Sequence, residues 1–366
     1  TNHNSYFYPS ASLSLILSDM FKIEHSALSY AKVRLNWSKV GRDTDPYSLY
    51  NSFTFSSPDW GDVKMATFST TLKNNNLKPE IATSYEVGTD LKFFNNRLGI
   101  EATWYTTDSR NQIIQIPTTM ASGYSARIIN AGEIRNRGWE VAVHGTPVSG
   151  KFIWDIGANF TRNRNKVIAL TDGITSYLQG TAEGMQYQVR EGESLGDMYG
   201  NTWKTVPDGP YKGKELLDET GHSQNATSLI KIGNYNPDFS LGITNTFTYG
   251  HFTLNTLVDY RQGGKFFSYM FMNLLSDGRT KNTLKGRDLA HGGLAWNDGT
   301  SDRTDGMIED GYIDDGNGNY VKNTNITDPE SFYGDYYWKM HARNTFSATY
   351  VKLREVSLTY LFSKEQ

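Results

Sequence analysis

The stretch from Leu77 to Thr107 constrains the fold most, because it has the pattern of one long antiparallel hairpin. Apolar and polar residues alternate along both arms, and the intervening Asn95-Asn96 tolerates the positive φ of a type I′ turn. Each arm is about ten residues long, the length that a tilted strand needs to cross a bilayer. Strands of a soluble sandwich also alternate but usually have about five or six residues. The apolar positions are Tyr85, Val87, Leu91, Phe93, Leu98, Ile100, Ala102 and Trp104.

The same alternation recurs and predicts about nine strands, joined alternately by short and long links, as in outer-membrane barrels. The strands are predicted at 12–18, 29–40, 84–93, 98–107, 138–144, 152–161, 239–249, 252–260 and 350–361. The long links cover 41–81, 109–135, 163–236 and 263–344, and the third is expected to carry a hairpin around 186–203. The short links are 95–96, 146–151, 249–250 and at most 19–28.

The composition agrees with an all-β fold, namely a segment of a transmembrane antiparallel β-barrel with long extracellular loops. Aromatic residues make up 13% of the chain and Gly contributes 34 residues, a mixture of strand formers and turn formers. No run approaches the roughly 18 apolar residues of a membrane helix, but a barrel is not excluded, because half of each strand faces a polar lumen. The net charge of −3 provides no basic surface for nucleic acid, and the lack of Cys excludes Cys-ligated metal.

Seven blocks of the sequence resemble the SusC-like TonB-dependent outer-membrane transporters of the Bacteroidota. They follow the order found in that family and extend over nearly the whole chain. No single block is decisive, and together they identify the resemblance. The blocks lie at 11–21, 40–47, 77–88, 93–98, 130–138, 233–239 and 350–358.

The resemblance implies a 22-stranded barrel with an N-terminal plug, of which residues 1–366 would form about the twelfth to the twentieth strand. The first and last of the nine strands both descend to the periplasmic side, so the nine cannot end as a closed barrel, and open edges are not tolerated in hydrocarbon. We therefore expect the plug with its TonB-contacting segment, the first strands and the last two strands to lie outside this sequence.

The function implied by the resemblance is active, TonB-powered import of a bulky nutrient, an oligosaccharide or a peptide, across the bacterial outer membrane. The expected partners are a SusD-like surface lipoprotein acting as a lid, the TonB complex acting through the plug, and outer-membrane lipid. No enzymatic activity, cofactor or metal is expected. A passive porin or an adhesin barrel is one alternative, and a soluble glycan-binding β-protein is another.

Aromatic residues in the long loops are the candidate contacts for a ligand or for the lid, because flat rings stack on sugars and grip peptides, and interfaces are enriched in Trp and Tyr. The alternative is that they pack the loops on one another or form the upper aromatic girdle of the barrel. Strand aromatics such as Trp37, Trp104, Trp139 and Trp154 are expected to face lipid. The loop candidates are Trp60, Trp203, Tyr211, Trp296, Tyr333, Tyr336, Tyr337 and Trp338.

Other polar motifs are weaker candidates. The stretch 310–319 loosely resembles a calcium loop, but Tyr320 occupies the sixth position counted from Asp315, where an EF-hand has Gly, and a solvated hairpin tip is favoured. Glu140 and His144 share one face of a strand without metal-site spacing. The pairs Asp43/Asp45 and Glu191/Glu193 are interpreted as solvated turn residues.

Overall fold

The computed structural model describes residues 6–23, 27–55, 57, 59–171 and 173–362. Nine strands form one antiparallel sheet in which every strand pairs with its neighbours in the chain. We call this sheet the wall. Its strands are β1 (Ser10–Ile16), β2 (Leu28–Arg42), β3 (Glu80–Phe93), β4 (Leu98–Arg110), β5 (Glu133–Val148), β6 (Phe152–Ala169), β7 (Phe239–Tyr249), β8 (Phe252–Gln262) and β9 (Tyr350–Tyr360).

The wall has one apolar and one polar face, because side chains of a strand alternate between faces and the strands are in register. One continuous row of paired residues is apolar across eight strands, running Ala31, Leu91, Ile100, Val143, Ala158, Ile243, Val258 and Leu353. The adjacent row lies on the other face and runs Lys32, Asp90, Glu101, Ala142, Asn159, Gly242, Asp259 and Lys352.

Most of the apolar face is left uncovered by the described chain, since Ala31 is the one buried member of the apolar row. Leu91 and Ile100 pair with each other and are both partly exposed, and neither belongs to a buried hydrophobic cluster. Trp139 is 50% exposed on the same face. This arrangement differs from a soluble sandwich, whose inner faces bury their apolar residues against a second sheet.

The few helices are short, and none in the described part of the chain has both the length and the apolarity to cross a bilayer. The α-helices are Leu17–Met20, Tyr269–Ser276 and Pro329–Ser331, the last continuing into a π-helical turn at Phe332–Tyr337. The 3₁₀ turns are Met120–Ser122, Lys281–Leu284, Leu289–His291 and His341–Asn344.

Four long connections leave the same end of the wall, and we name them L1 (43–79), L2 (111–132), L3 (170–238) and L4 (263–349). A four-stranded sheet in L3 contains Ser176–Ala182, Met185–Arg190, Asp197–Gly200 and Ile230–Asn234. A three-stranded sheet has Ala126–Asn130 in its centre, paired with Thr71–Leu72 on one side and Ile113–Pro117 on the other. Two-stranded sheets pair Phe53–Phe55 with Ala66–Phe68, Lys265–Phe267 with Thr345–Ser347, Leu294–Asn297 with Asp302–Gly306, and Tyr312–Asp314 with Tyr320–Lys322.

The strand order, the loop asymmetry and the hairpin within 186–203 are confirmed, but several boundaries differ from the sequence prediction. The wall strands β5 and β6 are longer than predicted, because they continue as one paired ribbon beyond the predicted ends. The predicted turn at 146–151 shrinks, since β5 runs on through an irregularity to Val148. The predicted first strand, 12–18, ends at Ile16, because Leu17 begins a helical turn in which Phe21 N donates to Leu17 O.

The predicted type I′ turn between β3 and β4 is present within a four-residue connection. Asn95 and Asn96 have φ of 53° and 68°, and Arg97 N donates to Phe94 O at 3.2 Å. We expect Asn96→Val to destabilise the folded barrel by about 1–2 kcal/mol, because a β-branched residue is strained at positive φ. Asn96→Gly should change stability by only a few tenths of a kcal/mol. Urea unfolding of the lipid-inserted protein measures both, and equal effects would contradict the turn assignment.

Candidate functional site

The long connections contain the buried core of the described chain. One cluster consists of Leu275, Met307, Phe332 and Tyr333 in L4, and another joins Met185, Met198 and Ile232 in L3. His341 of L4 is inserted against L3, where its Nδ1 accepts a hydrogen bond from Asn201 N at 3.0 Å and its Nε2 lies 2.8 Å from Glu183 O. L3 and L4 therefore pack into one layer above the wall, which we call the loop layer.

A buried charged cluster, the loop clasp, joins L3 to L4 and consists of Glu215, Ser223, Glu309 and Arg343. The Arg343 guanidinium donates to both carboxylate oxygens of Glu215 at 2.6 and 2.7 Å, and to Glu309 at 3.5 Å. Ser223 N donates to Glu309 at 3.0 Å. Tyr337 and Trp203 place their rings 4.2 and 5.3 Å from the same guanidinium. One cation is thus shared by two carboxylates with very little solvent access.

The clasp favours a proton on Glu309. Ser223 Oγ lies within hydrogen-bonding distance of both Glu215 and Glu309, but a single hydroxyl can donate to only one of them at a time. Burial raises the pKa of Glu309 to about 7, and the nearby Glu215 carboxylate adds to the rise, whereas Ser223 and Arg343 oppose it. Below neutral pH, the protonated carboxyl removes the surplus negative charge from the cluster.

This geometry predicts that the loop layer loses stability as pH rises. The pKa of Glu309 in the folded layer, about 7, exceeds its ordinary value of 4.5. The folded state therefore holds a proton that the unfolded state has released, so the stabilisation declines between those two values. Near-ultraviolet circular dichroism of the full-length protein should show a lower thermal midpoint of the loop layer at pH 8 than at pH 5.5. Glu309→Gln should remove most of this difference. If the thermal midpoint of that variant fell just as much between pH 5.5 and pH 8, the assignment would be contradicted.

Four of the predicted aromatic contacts lie at the junction of L3 and L4. Trp203 and Tyr337 border the loop clasp, Tyr211 stacks on Tyr312 with ring centroids 4.2 Å apart, and Tyr336 stacks on His222 at 4.2 Å. These contacts support the alternative interpretation, that the rings pack the loops together. Contact of these residues with a ligand or lid remains a prediction.

The other four predicted aromatics are dispersed. Tyr333 is buried in the L4 cluster and Trp338 packs against that cluster. Trp296 Nε1 donates to Asp305 at 3.3 Å, so its ring is held within L4. Trp60 lies apart in L1 and is 76% exposed. Of the eight, Trp60 is the ring with the most surface available to a partner.

The structure places the weaker polar motifs in a hairpin tip and on the polar face of the wall. Residues 315–319 form the tip of a hairpin in which Asp315 accepts hydrogen bonds from the backbone of Asn317 and Asn319, as predicted for a solvated turn. Glu140 and His144 both lie exposed on the polar face. The described residues contain no group of three or more acidic or His side chains placed to hold a metal.

The residues of the loop clasp were not identified from the sequence. Glu215 and Arg343 are 128 positions apart, and Ser223 and Glu309 are 86 apart. No local motif marks any of them, because their proximity arises only when L3 folds against L4. Co-variation between these positions is the sequence signal that would have located the cluster.

A comparison of the sequence with family models decides the family. The family model described as "TonB dependent receptor-like, beta-barrel" matches residues 1–213. The chain belongs to this family. It is a segment of an outer-membrane β-barrel of the SusC-like type, which confirms the fold class and location expected from the sequence.

Among similar curated proteins, TonB-dependent receptor P3 of Formosa agariphila is 28% identical over 91% of this chain and 36% of its own length. TonB-dependent receptor SusC of Bacteroides thetaiotaomicron is 29% identical over 46% of this chain and 18% of its own length. The chain therefore spans about a third of the first of these relatives.

Solved structures agree on the fold. The RagAB peptide importer in its "closed-closed" state matches the whole chain with a TM-score of 0.69 and 18% identity, and the chain covers 38% of that structure. The "open-open" state gives a TM-score of 0.67 at 17% identity, with 37% covered. The wall and the loop layer therefore share the fold of a little over a third of that structure.

Proposed function

We propose that this TonB-dependent receptor segment forms part of the wall and entrance of an active importer for a bulky nutrient, an oligosaccharide or a peptide. The main support is the two-faced wall, whose long connections all leave one end, where L3 and L4 pack into the loop layer. The solved structures with the same fold are described as a peptide importer. No chemical transformation is part of this proposal.

We also propose that the remainder of the barrel and a plug are contributed by polypeptide outside this sequence. The support is the sheet itself, because β1 and β9 each have only one neighbour among the described strands. Unpaired strand edges are not tolerated in hydrocarbon. The TonB complex would then act through the plug, which supplies the coupling to energy that a passive barrel lacks.

A SusD-like lipoprotein is the proposed lid partner. L1 supports this role, because its aromatic side chains project from the loop surface: Tyr47 is 94% exposed and Trp60 is 76% exposed. Exposed aromatic residues of this kind are enriched at protein interfaces. Outer-membrane lipid would contact the apolar face of the wall, including Trp139.

Uptake by cells that carry the full-length gene tests the proposal. We expect depletion of a casein digest or of a mixture of neutral oligosaccharides from the medium to require both the gene and an energised inner membrane, with mass spectrometry as the readout. Disruption of the TonB function should abolish uptake. Gene-dependent uptake that continues after a protonophore is added would instead establish a passive porin, and no gene-dependent uptake of either mixture would refute import.

A further inference from the structure

A polar cleft of about 500 Å³ lies where the upper ends of β6, β7 and β8 meet L3 and the end of L4. We call it the rim cleft. Asn163 and Asn165 contribute to it and continue the register of Asn159 and Thr161 on the polar face of β6. The rim cleft therefore lies at the upper edge of the polar face, beside the route that a transported molecule would follow.

The charges around the rim cleft are balanced. Arg164 and Asp238 form an ion pair at 2.6 Å. Lys231 Nζ lies 2.5 Å from the buried Asp197 carboxylate and 4.0 Å from the Glu193 carboxylate. The remaining cation, Lys265, donates to the backbone oxygen of Ile232 at 3.0 Å. Such a surface neither selects nor rejects a ligand by its net charge.

Two amide side chains are held in fixed orientations by the backbone of Leu195. Asn165 Oδ1 accepts from Leu195 N at 2.6 Å, and Asn236 Nδ2 donates to Leu195 O at 2.6 Å. Because a backbone N–H needs an acceptor and a carbonyl needs a donor, these contacts determine which end of each amide is oxygen and which is nitrogen. Ser194 Oγ also donates to Asn165 Oδ1, at 2.7 Å.

The opposite ends of these two amides have no hydrogen-bond partner among the described residues. Asn165 therefore offers an NH₂ donor, and Asn236 offers a carbonyl acceptor. A peptide unit presents the complementary pair, one C=O and one N–H. No aromatic ring lines the rim cleft, so the stacking platform expected of a sugar site is lacking among the described residues.

We propose that the rim cleft binds the main chain of an extended peptide, with Asn165 donating to a peptide carbonyl and Asn236 accepting from a peptide N–H. Recognition through the main chain is independent of side-chain sequence, and the paired charges accommodate acidic and basic side chains alike. This inference rests on the proposed import function and narrows its substrate class to peptides.

Binding to the full-length protein in detergent, with whatever partners co-purify, tests this inference without any need for TonB. The probes are a casein digest and a ladder of maltooligosaccharides, and co-eluting molecules are quantified by mass spectrometry. Asn165→Asp keeps the acceptor for Leu195 but removes the free donor and adds a negative charge. We expect it to reduce retained casein peptides at least tenfold.

Asn159→Asp is the matched control, since it adds the same charge on the same face of β6 outside the rim cleft. It should alter peptide retention less than twofold. Unchanged retention by Asn165→Asp, or retention of the maltooligosaccharides rather than the peptides, would overturn the inference.

A measurement on the unaltered protein guards against misfolding of the variant. Casein-derived peptides carrying a photoreactive benzophenone should cross-link to residues 194–197 or 231–236, and cross-links confined to other regions would refute the site. Binding in detergent together with absent uptake by cells would refute the import proposal while leaving the peptide site intact.

Discussion

Replacing Arg343 by methionine is expected to separate L3 from L4 and to lower the free energy of local unfolding of the loop layer by about 3–5 kcal/mol. The reason is that the substitution leaves the Glu215 carboxylate, with the Glu309 carboxyl beside it, buried without the cation that both groups contact. The aromatic contacts of Tyr337 and Trp203 with the guanidinium are lost as well. Hydrogen exchange of backbone amides in residues 170–238 and 263–349 of the full-length protein measures the effect.

Arg279→Met in the same connection is the control. Its side chain is 72% exposed, and its Nε lies 3.7 Å from Asp277 Oδ2. Exposed pairs of this kind contribute about 0–1 kcal/mol. If the two variants had equal effects on exchange, the loop clasp would not be the contact that holds L3 and L4 together.

A charge placed on the apolar face of the wall is expected to have the second largest effect. Val141 lies within β5 and pairs with Ala102 and Phe160, all on the apolar face. Val141→Arg should reduce the stability of the lipid-inserted barrel by about 2–4 kcal/mol, because a lipid-facing Arg must be buried in hydrocarbon near the bilayer midplane. Urea-dependent folding of the full-length protein into vesicles measures the difference.

Ala142→Arg is the matched variant for this experiment, because Ala142 is the next residue of β5 and pairs with Glu101 on the polar face. An Arg at this position remains hydrated and has a carboxylate nearby, so the expected cost is well under that of Val141→Arg. A larger loss from Ala142→Arg than from Val141→Arg would show that the two faces have been assigned the wrong way round.

The wall could be predicted from the sequence because its determinants are local. Alternation with a period of two identifies each strand, and Asn95-Asn96 specifies its turn without reference to distant residues. The ends of β5 and β6 were missed because their upper parts, such as Arg162 to Lys166, are polar on both faces. Alternation disappears there, although the backbone pairing continues.

The loop layer could not be predicted in the same way, because its contacts join residues far apart in the chain. The aromatic residues of L3 and L4 stand out in the sequence, but the sequence could not distinguish a ring that meets a ligand from Tyr333, which is buried inside L4. Glu309 in particular lacks any local mark, since only its burial beside Glu215 and Arg343 makes it unusual.

β6 continues beyond the end of its pairing with β7, and this overhang limits which loops can be deleted from the protein. Their last pair is Thr161 with Ser240, and beyond it β6 is bordered on that side by L3: Val167 N donates to Glu193 O, and Gly192 N donates to Val167 O. Trimming L3 to obtain a minimal barrel would leave this ribbon with unused donors and acceptors in water. Such a bare strand recruits another molecule, so loop-deleted versions should self-associate through β6.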